Sequence, residues 1–334
     1  MKITVIGSGA WGTALSILLN SNGHDVFLWS HNPKKAAEMV LTRENPLLKG
    51  VHISDAITIT SDLNCLNGSE IVVFATPSFA LRETARLVKD HLPENAVLVS
   101  VTKGIEPGSN LRMSEIIADE TGHRMSVVVL SGPSHAEEVS RHIPTGCVAA
   151  AEREEDAAFV QQAFLSDNFR VYTHDDMAGV ELCGAFKNIV ALCCGILEGY
   201  GLGDNAKALL MTRSMAELSK LVKCLGGRLE TLAGLAGMGD LIVTCTSIHS
   251  RNHRFGILLG QGKSVSDAKE EVGAVVEGYY AAQSALELAK KKNIDLPICN
   301  AAYQVLYHNA DVGMAICSLM ERPAGKEHER CWLS

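Results

Sequence analysis

A glycine-rich turn close to the start of the chain is the feature that most restricts its fold. Residues 3–6 form a β-branched run, Gly7, Gly9 and Gly12 follow at the spacing G-x-G-x-x-G, and residues 13–20 have helical character. In a strand–turn–helix unit, the first glycine permits the tight turn, the second lets backbone N–H groups approach a pyrophosphate, and the third allows close packing of helix on strand. The helix N-terminus then faces the anion. We therefore predict a dinucleotide-binding fold, with a plain tight turn as the alternative.

The end of the second predicted strand bears on which dinucleotide is bound. Strand Asp25–Trp29 is followed by Ser30, His31 and Asn32 and not by an aspartate or glutamate. A carboxylate here would accept both hydroxyls of the NAD ribose, and its absence removes the repulsion that excludes the 2′-phosphate of NADP. His31 or Asn32 could hydrogen-bond that phosphate, but neither is an arginine, and His31 is equally compatible with an ordinary surface position. The sequence therefore admits both NAD and NADP.

The first half of the chain alternates predicted strands and helices. Buried-strand patterns occur at residues 70–75, 96–101, 126–130, 145–150 and 169–174, with helical stretches at residues 80–90 and 112–120. Such alternation predicts a Rossmann-type, doubly wound parallel sheet. The acidic run at residues 152–156 predicts the solvated start of a further helix.

Polar residues follow several of the predicted strands. Ligands bind doubly wound sheets beyond the carboxyl ends of the strands, and Lys103 comes directly after one strand, with residues 131–134 after the next. We therefore predict that Lys103 lies at the ligand-binding edge of the sheet. The alternative is a solvated surface lysine.

A long apolar stretch in the middle of the chain carries a lysine on its apolar face. Residues 180–200 predict a helix whose apolar positions recur at offsets of three and four, on the face that also holds Lys187. Small residues such as Gly184 and Gly195 leave room beside the ammonium for another chain segment or a ligand. Partial desolvation lowers the pKa of a lysine, which makes it usable as a general acid or base. The alternative is a lysine whose stem snorkels out to water.

The rest of the second half predicts helices and two polar clusters that could carry chemistry. Helical patterns cover residues 207–225, 266–271, 279–292 and 301–308. Asp240 follows a glycine-rich stretch at residues 234–239, where a capping or core aspartate is the alternative. Ser250, Arg251 and Asn252 combine a hydroxyl, a guanidinium and an amide, which are phosphate-binding groups, although a solvated polar loop has the same composition.

Composition limits the remaining classes of function. The 334 residues are 47% hydrophobic, enough for two domains with their own cores, which we place at residues 1–178 and 179–334. A formal net charge of -8 argues against general nucleic-acid binding. The ten cysteines contain no C-x-x-C pair, and His249 and His253 have no third ligand at a suitable spacing, so neither a disulfide framework nor a metal site is predicted. A reducing cytoplasm fits best, since we find neither a secretory signal nor an uninterrupted membrane-spanning run.

Taken together, these motifs resemble one family, the bacterial-type NAD(P)-dependent sn-glycerol-3-phosphate dehydrogenases. The matching segments run through nearly the whole chain, at residues 7–14, 101–107, 130–139, 184–191, 201–208, 234–252 and 275–278. The chain departs from the family pattern in two places. Ala10 stands where a serine is common, and Leu47-Leu48-Lys49-Gly50 replaces a more usual Tyr-Leu-Pro-Gly.

The resemblance implies roles for individual residues. Lys187 would be the proton donor and acceptor, with Asp240 orienting its ammonium and Lys103 adding positive potential. Contacts to glycerol phosphate are implied for Lys103, Gly132, Ser134, Lys187, Asn188, Asp240, Thr244, Ser250, Arg251 and Asn252. Contacts to the dinucleotide are implied for Gly7, Gly9, Ala10, Trp11, Gly12, His31, Asn32, Lys103, Ala136, Arg251, Val275 and Glu277.

The activity that the resemblance implies is reversible reduction of dihydroxyacetone phosphate to sn-glycerol 3-phosphate with NADH or NADPH, which would supply phospholipid synthesis. Hydride addition at C2 would leave negative charge on the carbonyl oxygen, and protonated Lys187 would neutralise it. Two alternatives stay open: a dehydrogenase of the same two-domain plan with another substrate, and a non-catalytic dinucleotide sensor. We expect no integral membrane association, and the oligomeric state stays open, with a homodimer as one option.

Overall fold

One sheet of eight strands lies in the part of the chain that the computed structural model describes, residues 1–326. The strands are β1 (Lys2–Ile6), β2 (Asp25–Trp29), β3 (Thr58–Thr60), β4 (Ile71–Phe74), β5 (Val97–Ser100), β6 (Val127–Ser131), β7 (Thr145–Ala150) and β8 (Phe169–His174). Their order across the sheet is β3-β2-β1-β4-β5-β6-β7-β8. The β-branched strand β1 pairs in parallel with β2 and β4, and its last four residues are buried. Such a central strand needs apolar side chains on both faces.

Each helical stretch that the sequence predicts is a helix in the structure, which also contains helices that the sequence did not predict. From the start of the chain they are α1 (Ala10–Ser21), α2 (Pro33–Thr42), α3 (Leu81–Val88), α4 (Met113–Glu120), α5 (Ala136–Val139) and α6 (Glu154–Phe164). The later helices are α7 (Met177–Gly199), α8 (Asp204–Cys224), α9 (Leu229–Leu232), α10 (Asp240–Thr246), α11 (Arg251–Gly260), α12 (Val265–Val272), α13 (Glu277–Lys292), α14 (Pro297–His308) and α15 (Val312–Met320). Short 3-10 turns occur at Leu63–Leu66, Ser78–Ala80 and Lys89–His91.

The sheet is mixed and not wholly parallel. Neighbouring strands from β3 to β6 pair in parallel, whereas β7 pairs antiparallel with β6 and parallel with β8. The predicted Rossmann-type fold is confirmed, but the expected parallel sheet is wrong at β7 and β8. The connection from β6 to β7 contains only the four-residue helix α5, whereas parallel strands are usually joined through a longer helix that packs on the sheet.

The chain divides into two units, of which the first comprises Met1–Lys103 with Met113–Met177 and the second comprises Gly104–Arg112 with Ala178–Ser334. Segment Gly104–Arg112, which the sequence places in the first domain, therefore belongs to the second unit. The guanidinium of Arg112 pairs with the buried carboxylate of Glu181 on α7 at 2.7 Å. The hydroxyl of Ser284 on α13 donates to the carbonyl oxygen of Ile105 at 3.1 Å. These contacts join residues far apart in sequence, so a local pattern cannot reveal them.

Helix α7 is the buried centre of the second unit, and glycines allow α11 to pack directly against it. A Cβ on Gly195 would lie 2.0 Å from the carbonyl oxygen of His253, and a Cβ on Gly256 would lie 2.0 Å from that of Leu192. The expectation that small residues on α7 make room for another segment is confirmed. By length and hydropathy alone, α7 and the stretch Leu229–Thr246 could cross a membrane, but the most apolar window of α7 is 100% buried within the protein.

Glu217 on α8 is a buried carboxylate that caps another helix. It accepts hydrogen bonds from the backbone N–H groups of Ile298 and Cys299, at 2.7 and 3.2 Å, in the first turn of α14. These N–H groups have no carbonyl partner within their own helix, so the carboxylate takes the place of an N-cap side chain. Burial raises the pKa of Glu217 to about 7, because desolvation outweighs the stabilising backbone hydrogen bonds.

We expect Glu217 to make the protein less stable as the pH rises from about 4.5 to about 7. In this range the folded state keeps a proton on Glu217 that the unfolded state has released, so the free energy of unfolding falls by roughly 3 kcal/mol. Glu217→Gln stays neutral and should flatten this pH dependence in urea unfolding, whereas Glu270→Gln, at an exposed position on α12, should leave it unchanged. Equal slopes in the wild type and Glu217→Gln would contradict the prediction.

Candidate active site

The glycine-rich turn joins β1 to α1 and has the form that a pyrophosphate requires. Gly7 has a φ of +116°, and a Cβ there would lie 2.6 Å from the carbonyl oxygen of Ala75. A Cβ on Gly12 would lie 1.9 Å from the carbonyl oxygen of Gly7, so only glycine lets α1 start this close to the turn. Within residues 1–326, a Cβ on Gly9 would meet no heavy atom within 4 Å beyond its chain neighbours. The open cradle and the N-terminus of α1, which begins at Ala10 and Trp11, fit a dinucleotide pyrophosphate.

Asn45 anchors this turn and was not found by sequence reasoning. Its buried side-chain amide donates to the carbonyl oxygen of Ser8 at 3.1 Å and to Oγ1 of Thr13 at 2.7 Å. Its Oδ1 accepts the backbone N–H of Leu47 at 3.0 Å, at the start of the segment that departs from the family pattern. An Asn-Pro pair is common in turns of every kind, so the sequence offers no signal for this role.

The residues after β2 form a capped helix start. Oδ1 of Asn32 accepts the backbone N–H groups of Lys34 and Lys35, at 3.0 and 3.2 Å, and so caps α2. The hydroxyl of Ser8 donates to that of Ser30 at 2.8 Å, at the position where many dinucleotide-binding proteins carry a carboxylate. His31 is exposed. The cap therefore occupies one of the two polar atoms of the Asn32 side chain.

Three predicted substrate contacts lie together at the carboxyl ends of β5 and β6. Nζ of Lys103 donates to the carbonyl oxygen of Gly132 at 2.9 Å, and the hydroxyl of Ser134 donates to the same oxygen at 3.1 Å. Gly132 has a φ of +153°, and a Cβ there would lie 2.8 Å from the carbonyl oxygen of Gly146. Ala136 begins α5 on the same connection. The structure brings these residues together, and their role in binding stays a prediction.

In the second unit, Lys187 and Asp240 form a buried ion pair. Lys187 is 5% exposed and Asp240 is 1% exposed, which excludes the alternative of a snorkelling lysine. Nζ of Lys187 donates to Oδ1 of Asp240 and to Oγ1 of Thr244, the latter at 2.5 Å. The hydroxyl of Thr244 donates in turn to the main-chain oxygen of Asp240 at 2.6 Å. Asp240 and Thr244 are four residues apart on α10, so they share one face of that helix.

A π-helical turn, Leu235–Gly239, directly precedes Asp240 and leads into helix α10. The sequence shows that the residues just before Asp240 are rich in glycine, and the structure explains why. A Cβ on Gly237 would lie 2.2 Å from the carbonyl oxygen of Leu232, so this turn can form only with glycine there. Turns of this type are rare and are found frequently at functional sites.

Three buried cysteines of the second unit have raised pKa values. A hydrogen bond with Cys194, together with burial, raises the pKa of Cys245, which follows Thr244 in sequence. Burial likewise raises the pKa of Cys193 and of Cys299. These groups are thiols at neutral pH, and a nucleophile or a metal ligand must be a thiolate. Across residues 1–326, His, Cys, Asp and Glu side chains form no group of three that could hold a metal ion.

Ser250 and Arg251 open helix α11, which excludes the alternative of a solvated polar loop. Ser250 is the N-cap, and its hydroxyl oxygen accepts the backbone N–H of His253 at 3.2 Å. Arg251 is the first helical residue and is exposed. A helix N-terminus with an arginine in its first turn presents N–H groups and positive charge to an anion.

The side chain of Asn252 joins three helices of the second unit. Its Nδ2 donates to Oδ1 of Asn188 on α7 at 2.9 Å, and its Oδ1 accepts the backbone N–H of Gly278 on α13 at 2.8 Å. A Cβ on Gly278 would lie 2.6 Å from the main-chain oxygen of Asn188, so α13 approaches α7 only with glycine there. Of the predicted dinucleotide contacts, Glu277 directly precedes Gly278 and Val275 lies three residues before it.

Comparisons with known proteins identify the family of this chain. The model of the "NAD-dependent glycerol-3-phosphate dehydrogenase N-terminus" matches residues 2–157, and that of the "C-terminus" of the same enzyme matches residues 176–317. The glycerol-3-phosphate dehydrogenase (NAD(P)+) of Clostridium perfringens is 47% identical over 98% of this chain and 99% of that protein. The enzyme of the same name from Moorella thermoacetica is 49% identical over 98% of each.

A solved structure shares the whole fold. The crystal structure of glycerol-3-phosphate dehydrogenase from Coxiella burnetii superposes with a TM-score of 0.93, at 37% identity, over 96% of this chain and 99% of that one. The fold and the glycine cradle thus define a Rossmann-type, dinucleotide-dependent oxidoreductase with a helical second part. The chain belongs to the NAD-dependent glycerol-3-phosphate dehydrogenase family.

Proposed function

We propose that this chain catalyses the reversible reduction of dihydroxyacetone phosphate to sn-glycerol 3-phosphate with NADH or NADPH. The observation that carries the proposal is the buried pair of Lys187 and Asp240, in a chain that also forms a dinucleotide cradle. Reduction of a ketone needs a hydride donor and a proton donor, and a lysine held in a dry site suits the second task. The names of the relatives supply the substrate.

Lys187 acts as the general acid when the ketone is reduced. Bound NADH or NADPH supplies a hydride to C2 of the substrate. Negative charge then develops on the C2 oxygen, and Nζ of Lys187 donates a proton to it. In the oxidative direction the neutral amine removes the proton from the C2 hydroxyl. One nitrogen atom therefore serves both directions.

Asp240 and Thr244 keep that nitrogen in a fixed orientation. Two of the N–H groups of Lys187 are directed at Oδ1 of Asp240 and at Oγ1 of Thr244. The carboxylate also offsets the free-energy cost of burying an ammonium. Rotation of the long lysine stem is thus restricted before the substrate binds, which lowers the entropic cost of reaching the reactive geometry.

The start of α11 binds the substrate phosphate. Arg251 supplies a guanidinium and the capped helix end supplies backbone N–H groups, in a chain whose net charge of -8 would otherwise repel an anion. Asn252 contributes mainly through its position, because its side chain bonds to Asn188 and Gly278. Binding the phosphate, remote from the reacting carbon, fixes C2 and so increases the rate.

The other predicted contacts complete the proposal. The glycine cradle for the dinucleotide belongs to the first unit, and the proposed proton donor and phosphate-binding arginine belong to the second. Lys103, Gly132, Ser134 and Asn188 are proposed as further substrate contacts. Gly7, Gly9, Ala10, Trp11, Gly12, His31, Asn32, Lys103, Ala136, Arg251, Val275 and Glu277 are proposed as dinucleotide contacts. We further propose that the enzyme acts in the cytoplasm and supplies glycerol 3-phosphate for phospholipid synthesis.

The proposed activity can be tested with purified protein and both reduced cofactors. Dihydroxyacetone phosphate should cause oxidation of NADH, NADPH or both. The loss of absorbance of the reduced nicotinamide measures this oxidation. A non-catalytic dinucleotide sensor would bind the cofactors without oxidising them. A preference for unphosphorylated dihydroxyacetone or for a hydroxy acid would instead indicate a different dehydrogenase of the same plan, and would remove the phosphate role of Arg251.

A further inference from the structure

Three tyrosines on two neighbouring helices of the second unit stack on one another. The ring centroids of Tyr279 on α13 and Tyr307 on α14 lie 4.4 Å apart, and those of Tyr303 and Tyr307 lie 4.7 Å apart. Nζ of Lys269 on α12 lies 3.2 Å from the centroid of the Tyr279 ring. The tyrosine stack of Tyr279, Tyr303 and Tyr307, together with this lysine, therefore connects three helices.

A hydroxyl group of the tyrosine stack bonds to the main chain at the start of α13. The hydroxyl of Tyr307 donates to the main-chain oxygen of Tyr279 at 2.8 Å. The backbone N–H of Tyr279 donates to the carbonyl oxygen of Val276 at 3.2 Å. Burial raises the pKa of Tyr307, so its phenol keeps the proton and stays a donor at neutral pH. The main chain of Tyr279 is thus bonded at both its N–H and its carbonyl group.

These bonds lie beside Glu277, for which the family resemblance implies a contact to the dinucleotide. The backbone N–H of the next residue, Gly278, donates to Oδ1 of Asn252 on α11 at 2.8 Å. The main chain directly after Glu277 is therefore bonded to side chains from two other helices, at Gly278 and at Tyr279. A contact group that is held in place before the ligand arrives loses less conformational freedom on binding.

We propose that Tyr307 is a positioning residue for the dinucleotide, because its hydroxyl holds the start of α13 and thereby orients Glu277. Lys269 contributes from α12, since a cation over a tyrosine ring is attracted by the π-electrons of that ring. The attraction is stronger for a cation that has lost part of its hydration, and burial does lower the pKa of Lys269. The inference deepens the proposed dinucleotide site and rests on the proposed contact of Glu277.

The first test removes the hydroxyl of Tyr307 and keeps its ring. In calorimetry with NADH and with NADPH, Tyr307→Phe should raise both Kd values about threefold to tenfold, because one net hydrogen bond is lost. At saturating cofactor, kcat and the KM for dihydroxyacetone phosphate should change less than about twofold, because only cofactor binding is affected. Tyr303→Phe is the matched control, since it removes a hydroxyl from the same stack and the same helix. We expect it to bind both cofactors as the wild type does.

The second test asks whether Tyr307 acts through Glu277. Glu277→Ala should weaken cofactor binding, and the double variant with Tyr307→Phe should bind no more weakly, because the hydroxyl then has no contact left to position. Lys269→Met should raise both Kd values about threefold, whereas Lys269→Arg should retain them, because a guanidinium also stacks on an aromatic ring.

Unchanged cofactor affinity in Tyr307→Phe, with a lowered melting temperature, would show that the hydroxyl only stabilises the fold, and would overturn the inference. An equal loss in Tyr303→Phe, additive losses in the double variant, or wild-type affinity in Glu277→Ala would overturn it as well. These outcomes leave the proposed activity standing if the wild type reduces dihydroxyacetone phosphate. Absence of that turnover, with the loss of cofactor affinity in Tyr307→Phe still present, would overturn the activity and leave the inference standing.

Discussion

Lys187→Ala should lower kcat for reduction of dihydroxyacetone phosphate by about three orders of magnitude, while the affinity for the reduced cofactor stays near that of the wild type. The variant loses both the proton donor and the positive charge that stabilises the developing alkoxide, and each effect alone is worth about a hundredfold or more. Lys187→Arg keeps the charge but holds its proton too tightly to donate it, so we expect it to be nearly as slow. Steady-state kinetics and cofactor titration measure the two quantities.

Removing Lys187 also breaks the buried ion pair with Asp240, and loss of one partner of such a pair can destabilise a fold by about 3–5 kcal/mol. The double variant Lys187→Ala with Asp240→Asn removes both charges and should recover thermal stability without recovering activity. Added small primary amines should restore part of the rate in Lys187→Ala and none in Lys187→Arg, where the arginine fills the space. Activity near that of the wild type in any folded Lys187 variant would rule out this residue as the acid.

Arg251→Leu should reduce kcat/KM for dihydroxyacetone phosphate by about a hundredfold or more, because the proposed charge-assisted contact to the phosphate would be lost. For unphosphorylated dihydroxyacetone, which makes no such contact, the same variant should be nearly as active as the wild type. Because the family resemblance also implies a dinucleotide contact for Arg251, the cofactor KM must be measured in parallel.

Arg254→Leu provides the control for this experiment. Arg254 is exposed on the same helix one turn later, so its removal makes the same change in net charge. We expect its kcat/KM for the phosphorylated substrate to change by less than about threefold, since general electrostatic attraction is screened by salt. Equal losses for Arg251→Leu and Arg254→Leu would mean that overall charge, and not a specific phosphate contact, governs substrate capture.

Periodicity predicted the elements that are long and regular. Strand β1 with its glycine turn, and helix α7 with its inward lysine, both follow from patterns within about twenty residues. The edge strand β3 could not be predicted in this way, because a segment of three residues is too short to show a periodic pattern. Helix α10 was also missed, because the glycines at 234–239 disguise its start as a loop.

Sequence patterns predicted the candidate reactive and binding side chains, but not the side chains that hold the surrounding backbone in place. Lys187, Asp240 and the first residues of α11 could be named because their types suit proton transfer and phosphate binding. Asn45 and Glu217 could not, since each holds a backbone that lies far from it in sequence. When a polar side chain bonds to a main-chain atom far away in sequence, neither the periodicity nor the composition of the sequence indicates that contact.

The backbone contact between α7 and α11 has a consequence for the choice of substrate. Lys187 lies on one of these helices and Arg251 on the other, and the glycines at 195 and 256 remove the side chains that could otherwise cushion a shift. The separation between the two helix backbones that carry Lys187 and Arg251 is therefore set by direct main-chain contact, and repacking of side chains between them cannot change it. With the proposed roles of Lys187 and Arg251, we expect this fixed helix spacing to favour a short ketone phosphate over longer sugar phosphates.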